Sequence, residues 1–219
     1  MNVGRWSILV NKKTLLMVGD SVTDADRVRS AAIGADSLGH GYVFCLDQML
    51  KMHDKKNEVI VVNRGVSGNT IKDLTNRWEV DVLKLKPDWL SIMIGVNDVW
   101  RQFDSPGLPS ISTLDEYEKY LSDLIDLTRD TVEKIILMTP FLVEPNQSDP
   151  MRSMLNGYAN VVRQVAAREK LILIDTQEKF DFAMTQINPK ALAEDRIHPT
   201  KAGHKLIAEA LMDSLFNNH

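Results

Sequence analysis

Three residues of the 219-residue chain have the types and order that acyl chemistry requires: Ser21, Asp195 and His198. A serine hydroxyl is a poor nucleophile at neutral pH and needs a base, normally a histidine oriented by a carboxylate. The segment Asp195-Arg196-Ile197-His198-Pro199 supplies both groups. If those residues form one turn, the carboxylate can reach back to one imidazole nitrogen and leave the other facing Ser21. Pro199 pushes His198 out of helical conformation, which places it on a loop, and Thr200 can cap the helix that follows. Taken singly, Ser21 also reads as a helix cap, and Asp195 with His198 as an ion pair on a surface turn.

An acyl-transfer site also needs donors for a developing oxyanion. The Ser21 N–H can point into the same crevice as its hydroxyl. Gly68, in Gly65-Val66-Ser67-Gly68-Asn69, lets the backbone approach a ligand and aim its N–H there, and Asn97 can offer a side-chain N–H to the same point. Each also reads as local geometry, a tight turn at Gly68 and an Asx turn at Asn97. Ser67 is the rival nucleophile, but its surroundings miss the Gly-x-Ser-x-Gly elbow because position 69 is Asn. Among the other histidines, His40 is a second-rank candidate on a glycine-flanked loop. His53, His204 and His219 have no carboxylate at comparable spacing before a loop proline. No His/Asp/Glu cluster has metal-ligand spacing, so neither a metal nor any other cofactor is expected. Cys45, the single cysteine, sits among apolar neighbours and reads as a small buried hydrophobe.

The elements that must position these residues are legible as alternation. Apolar runs at Leu15–Val18, Val59–Val62, Trp89–Ile94, Ile135–Met138 and Leu171–Ile174 read as strands buried on both faces, hence a parallel sheet. Helical spacing occupies roughly Tyr42–Lys51, Ile71–Leu85, Leu114–Thr128, Met151–Arg168 and Ala202–Leu215. Asp104–Ser112 and Glu144–Pro150 read as surface loops. The order predicts one three-layer α/β/α domain over residues 1–219, with a five-stranded parallel sheet. Ligands bind at the carboxyl ends of strands in such sheets, and Ser21, Gly68 and Asn97 fall on three successive strand exits.

Composition narrows the partners. With 26 Lys+Arg against 30 Asp+Glu the formal charge is −4. No basic block gives nucleic acid or an anionic membrane an electrostatic handle. The apolar runs fall far below the roughly 18 residues a membrane span needs, and Met1–Val10 carries no secretion signal. A cytoplasmic location is expected, with the oligomeric state left open.

The run through Gly19-Asp20-Ser21-Val22, Gly65–Thr70, Gly95-Val96-Asn97-Asp98 and Asp195-x-x-His198 resembles the SGNH hydrolase superfamily of GDSL-type esterases. Their marker residues are Ser, Gly, Asn and His in that order. Val22 stands where the name-giving motif has Leu. The resemblance implies a flavodoxin-like sheet, a Ser21-His198-Asp195 triad and an oxyanion hole of Ser21, Gly68 and Asn97. Further stretches, Asn63–Trp78, Pro87–Phe103, Met138–Arg152 and Asp195–His204, look like intracellular bacterial acetyl xylan esterases of this superfamily. That implies deacetylation of xylo-oligosaccharides, with an acetylated saccharide as partner and a homo-oligomer left open; Trp100 and Arg101, directly after the Asn97 loop, are the candidate sugar contacts, with Asp20 as a further substrate-binding candidate. Trp100 equally suits a packed surface aromatic. Glu194 departs from relatives that carry an aromatic residue before the catalytic Asp. A lysophospholipase or acyl-thioesterase of the superfamily, or an inactive flavodoxin-like module, is the alternative.

Overall fold

A computed structural model describes residues 12–30, 35–53, 59–107 and 111–216. His219 and the Met1–Val10 segment lie outside them. Strands β1 (Lys13–Gly19), β2 (Val59–Gly65), β3 (Trp89–Met93), β4 (Lys134–Met138) and β5 (Ile172–Ile174) form one sheet in the order β2-β1-β3-β4-β5. Every pairing is parallel, with Gly19 opposite both Gly65 and Met93 at the carboxyl end. Each expected strand is present. Burial on both faces holds for the inner strands, where Leu15, Leu16, Met17 and Val18 are fully buried. It fails at the edges: β2 alternates between buried and half-buried residues, and Leu173 of β5 is exposed. An edge strand has a neighbour on one side only, so the covering layers thin there.

The helices are α1 (Ser21–Asp24), α2 (Tyr42–His53), α3 (Ile71–Trp78), α4 (Val96–Asp104), α5 (Leu114–Asp126), α6 (Pro150–Glu169), α7 (Thr176–Met184), α8 (Pro189–Leu192) and α9 (Lys201–Phe216). A π-helical turn, Glu79–Leu83, continues α3 toward the expected end at Leu85. Their ends follow local chemistry. Capping boxes at Thr70/Asp73 and Thr113/Glu116 start α3 and α5, and Asp149 with Pro150 starts α6. The helical spacing in the sequence does not extend over 96–104 and 176–184, yet both segments fold as short helices, α4 and α7. Alternation along the strands feeds two cores. Leu16, Val18, Leu90, Ile92 and Leu137 pack under α3 to α6, with Trp78, Tyr117 and Leu155. Leu15, Met17, Ile136, Met138 and Ile174 pack under α2, α7 and α9, with Tyr42, Phe180 and Leu211. Each fully buried large apolar side chain contributes about 1.5–3 kcal/mol. No helix among the described residues is long and apolar enough to cross a membrane.

Close approach at the carboxyl edge depends on Gly65. A Cβ there would collide with the backbone nitrogen of Asp24, so the glycine lets α1 lie directly across the end of β2. Asn63 then fixes the two together. Its amide donates to Thr23 O (2.6 Å) and Leu38 O (2.9 Å), and its carbonyl accepts from the Gly65 N–H (2.8 Å). The group is buried, so these bonds have no water to replace them. Asn63→Ala should lower unfolding free energy by about 3 kcal/mol, the cost of stranding several buried polar groups. Urea denaturation checks this; a loss below about 1 kcal/mol would show that the network is not needed.

Candidate active site

Ser21 is the first residue of α1, directly beyond β1, and its Oγ lies 2.9 Å from His198 Nε2. The other ring nitrogen of His198, Nδ1, lies 2.6 Å from Asp195 Oδ2. Asp195 Oδ1 accepts from the backbone N–H groups of Ile197 (3.0 Å) and His198 (2.8 Å). One carboxylate thus folds its own loop and orients the imidazole. Burial opposes its charge, but these hydrogen bonds together outweigh it and hold the Asp195 carboxyl below its ordinary range. Arg196, between them, has φ 75°, a left-handed conformation that costs a non-glycine residue about 1–2 kcal/mol. Its carbonyl accepts from Val143 N–H (2.8 Å), tying the loop to the chain beyond β4. After Pro199, the Thr200 hydroxyl donates to Ala191 O (2.6 Å) and lies 3.4 Å from the Gly203 N–H.

Gly68 occupies the third position of a turn closed by Asn69 N–H to Val66 O (3.2 Å), with φ +81°. A type II turn requires that left-handed conformation at this position, which is why glycine stands there. Neither the Gly68 N–H nor the Ser21 N–H has an acceptor among the described residues. Asn97, in the first turn of α4 and 1% exposed, gives one amide hydrogen to Asn69 O (3.0 Å). Its second amide hydrogen remains for a ligand. Two flanking contacts lock this arrangement. Asp98 Oδ2 accepts from Ile71 N–H (3.0 Å), clamping α4 to the start of α3. Arg77 donates to Gly19 O (3.0 Å), Arg64 O (2.7 Å) and Asn69 Oδ1 (2.7 Å), joining the first two strand exits to the Gly68 turn.

The expected substrate contacts have distinct positions. Trp100 meets the His198 ring edge-on, with centroids 5.9 Å apart, and Arg101 lies 4.8 Å over the Trp100 ring. The face that the sequence reading offered to a sugar is therefore covered by a guanidinium. Arg101 is held to Asp104 through Nη1 (2.6 Å), and its Nη2 approaches Gly68. Asp20 is buried beneath the site, where it caps α1 by accepting from Val22 N–H (3.0 Å). Burial drives its carboxyl up to about 7 against that bond and the nearby His198. Ser67 is exposed; its N–H donates to Asp24 Oδ2 (3.0 Å), and no histidine meets its hydroxyl among the described residues. His40 is likewise exposed, and its backbone N–H donates to Ala25 O (2.8 Å), just beyond α1. Glu194 is exposed beside Asp195. No group of three or more His, Cys, Asp or Glu among the described residues could hold a metal ion.

Residues 17–206 match the GDSL-like lipase/acylhydrolase family. The chain belongs to that family. An acetylxylan esterase of Geobacillus stearothermophilus is 46% identical to this GDSL-like chain over 200 residues, covering 90% of this chain and 91% of its own. The crystal structure of an acetylxylan esterase from that organism superposes with a TM-score of 0.89 at 45% identity, covering 93% of this chain and 94% of that one. An α/β hydrolase from the metagenome of Lake Arreo, Spain, gives a TM-score of 0.89 at 42% identity over 92% and 94% of the two chains. Some of the similar structures are catalytic mutants of the Geobacillus enzyme, altered at a serine, a histidine or an aspartate.

One histidine of this GDSL-like hydrolase has a role that spacing alone did not reveal. His204, on α9, accepts the Tyr42 N–H at Nδ1 (3.1 Å) and so caps α2 from another element. Burial, with a smaller contribution from His198, lowers its pKa from 6.5 to about 4. Below pH 6.5 the unfolded chain binds a proton at this site that the folded chain refuses, so stability falls as pH drops toward 4. The difference of about 2.5 units corresponds to about 3 kcal/mol. Asp20 and Asp98, both raised to about 7 by burial, act in the opposite sense: they favour the folded form at acid pH and lose that contribution as pH rises to 7. His204→Asn keeps an acceptor without the titration. Between pH 7 and 4 the wild type should lose about 3 kcal/mol more than this variant in urea melts, and parallel curves would refute the cap's titration.

Proposed function

We propose that this chain is a serine esterase that removes acetyl groups from xylo-oligosaccharides. The carrying observation is the continuous line from Ser21 Oγ through His198 to Asp195, at 2.9 and 2.6 Å. As Ser21 Oγ attacks the ester carbonyl, its proton passes to His198 Nε2, and Asp195 stabilises the imidazolium through Nδ1–H. The oxyanion takes hydrogen bonds from the Ser21 and Gly68 N–H groups and from the free amide hydrogen of Asn97. His198 then returns the proton to the departing sugar hydroxyl. Water, activated by the same imidazole, releases acetate from the acyl-enzyme. The catalytic mutants of the Geobacillus enzyme, at residues of the same three types, support these roles.

The sugar assignment rests on the acetylxylan esterase relatives and on Arg101. Its Nη2 lies beside the Gly68 turn, where it can donate to hydroxyls of the leaving saccharide. Trp100 serves as a wall for the His198 ring. The reading includes a cytoplasmic location, consistent with a chain whose single cysteine needs no oxidising compartment.

Ser21→Ala should abolish nearly all turnover, and a serine-directed phosphonate should label Ser21 and leave Ser67 unmodified. Asn97→Ala should lower kcat by about 10²–10³ with little change in KM, because that donor acts mainly in the transition state. Labelling of Ser67 or an active alanine variant would overturn the assignment. Acetylated xylosides should exceed octanoyl esters and acyl-CoA in kcat/KM. Arg101→Ala should cost about tenfold on the xylosides, near 1.4 kcal/mol, and leave p-nitrophenyl acetate unchanged. Trp100→Ala should lower both acetyl substrates. Higher kcat/KM on long acyl chains would instead assign a lipid or thioester substrate.

A further inference from the structure

Arg196 stands between Asp195 and His198 with φ 75°, a conformation that glycine enters freely and arginine does not. The Asp195 and His198 side chains are 52% and 42% exposed, so burial does not hold them in place. The Arg196 side chain reaches the segment beyond β4. Its Nε lies 3.1 Å from Glu144 Oε2 and its Nη2 lies 2.7 Å from Asp149 Oδ1. Neither contact is aligned as a hydrogen bond, but both nitrogens are sealed from solvent, so little water screens the charges. We propose that Arg196 is a positioning residue: Glu144 and Asp149 clamp its guanidinium, and the clamp holds Asp195 and His198 in register with Ser21. The proposal rests on the reading of those last three residues as a triad.

The clamp is itself anchored. Asp149 Oδ1 caps α6 by accepting from the Arg152 N–H (3.0 Å), and Glu144 Oε1 accepts from the Asn146 N–H (2.9 Å). Buried Arg152 donates to Glu144 O (2.6 Å) and to Asp181 Oδ2 (2.6 Å), which ties the segment to α7. The Arg152 N–H, and after it Arg196, hold the Asp149 carboxyl below its ordinary range and so keep it charged. On the loop itself, Arg196 O accepts from the Val143 N–H (2.8 Å) and Ile197 is buried. Arg196 is thus pinned to one anchored segment through both its backbone and its side chain. Asp195 can then commit Oδ1 to two N–H groups of its own loop and Oδ2 to His198. For stability alone glycine would suit position 196, because it removes the left-handed strain and an ion pair near the surface contributes little. What arginine adds is a fixed direction for the loop.

The test measures kcat and KM for p-nitrophenyl acetate in Arg196→Gly and in the double variant Glu144→Gln/Asp149→Asn, where the asparagine keeps the α6 cap. Misplacing a reacting group by about 1 Å costs up to about 10²-fold in rate, so Arg196→Gly should lower kcat by about 10–10²-fold and change KM by less than about twofold. The double variant should lose kcat to the same extent. Adding Arg196→Gly to it should cost nothing more, because the three charges act as a unit. In an Asp195→Ala background Arg196→Gly should have no further effect, whereas a residue that merely stabilises the fold would still lower the residual rate. Should Arg196→Gly not fold, the double variant decides. A kcat within about twofold of wild type in the folded variants, or a loss that persists undiminished in the Asp195→Ala background, overturns the proposal alone. Undiminished turnover by Asp195→Ala itself overturns the triad reading instead.

Discussion

The hydrogen bond between Ser21 and His198 joins points 177 residues apart in the chain. Its geometry tolerates errors of only a few tenths of an ångström, so nearly every buried polar contact at the sheet's carboxyl edge bears on it. Ser21 is held from below, by β1 and by the Asp20 cap. His198 is held from the side, through a loop anchored to residues beyond β4 and to α8 and α9. The two supports also meet outside the sheet: His204 of α9 accepts the Tyr42 N–H, and the Tyr42 hydroxyl lies 2.9 Å from Thr23 Oγ1 in α1. A rigid parallel sheet, buried on both faces at its centre, is what makes a contact of that sequence separation reproducible.

The scaffolding around this contact is polar, and its principal side chains are partnered. Asn63 makes bonds to three backbone groups, Arg77 to two carbonyls and the Asn69 side chain, and Asp98 to the start of α3. Such groups would be costly in an apolar interior without partners. With partners, they give the loops one arrangement. The proposed oxyanion donors are preorganised by this means: Asn97 is aimed by the carbonyl of Asn69, whose own turn places Gly68. Little reorganisation is left for the moment when charge develops.

Much of this was legible in the sequence because chemistry and punctuation coincide there. Ser21, Gly68 and Asn97 stand where apolar runs stop, and an Asp and a His before Pro199 are local to one turn. The fold followed from Val/Ile/Leu runs alternating with helical spacing. The rest was hidden for a common reason: it consists of pairings between distant segments. The spacing around His204 says nothing about Tyr42, and no pattern tells that Arg101 covers Trp100. Helix α4 escaped because it is short and starts at Gly95, a glycine with φ +126°, rather than at a Ser, Thr, Asp or Asn. The strained backbone of Arg196 carries no signature, since the residue type argues against it.

The order of these parts along the chain has a consequence for synthesis. In the proposed assignment, Ser21, Gly68 and Asn97 belong to the first half, whereas His198 and Asp195 arrive together on one loop just ahead of α9. A nascent chain holds Ser21 without its His198 partner until that loop leaves the ribosome and α9 docks against α2. On that assignment the Ser21–His198 contact can form only once the whole sheet and its covering layers are complete.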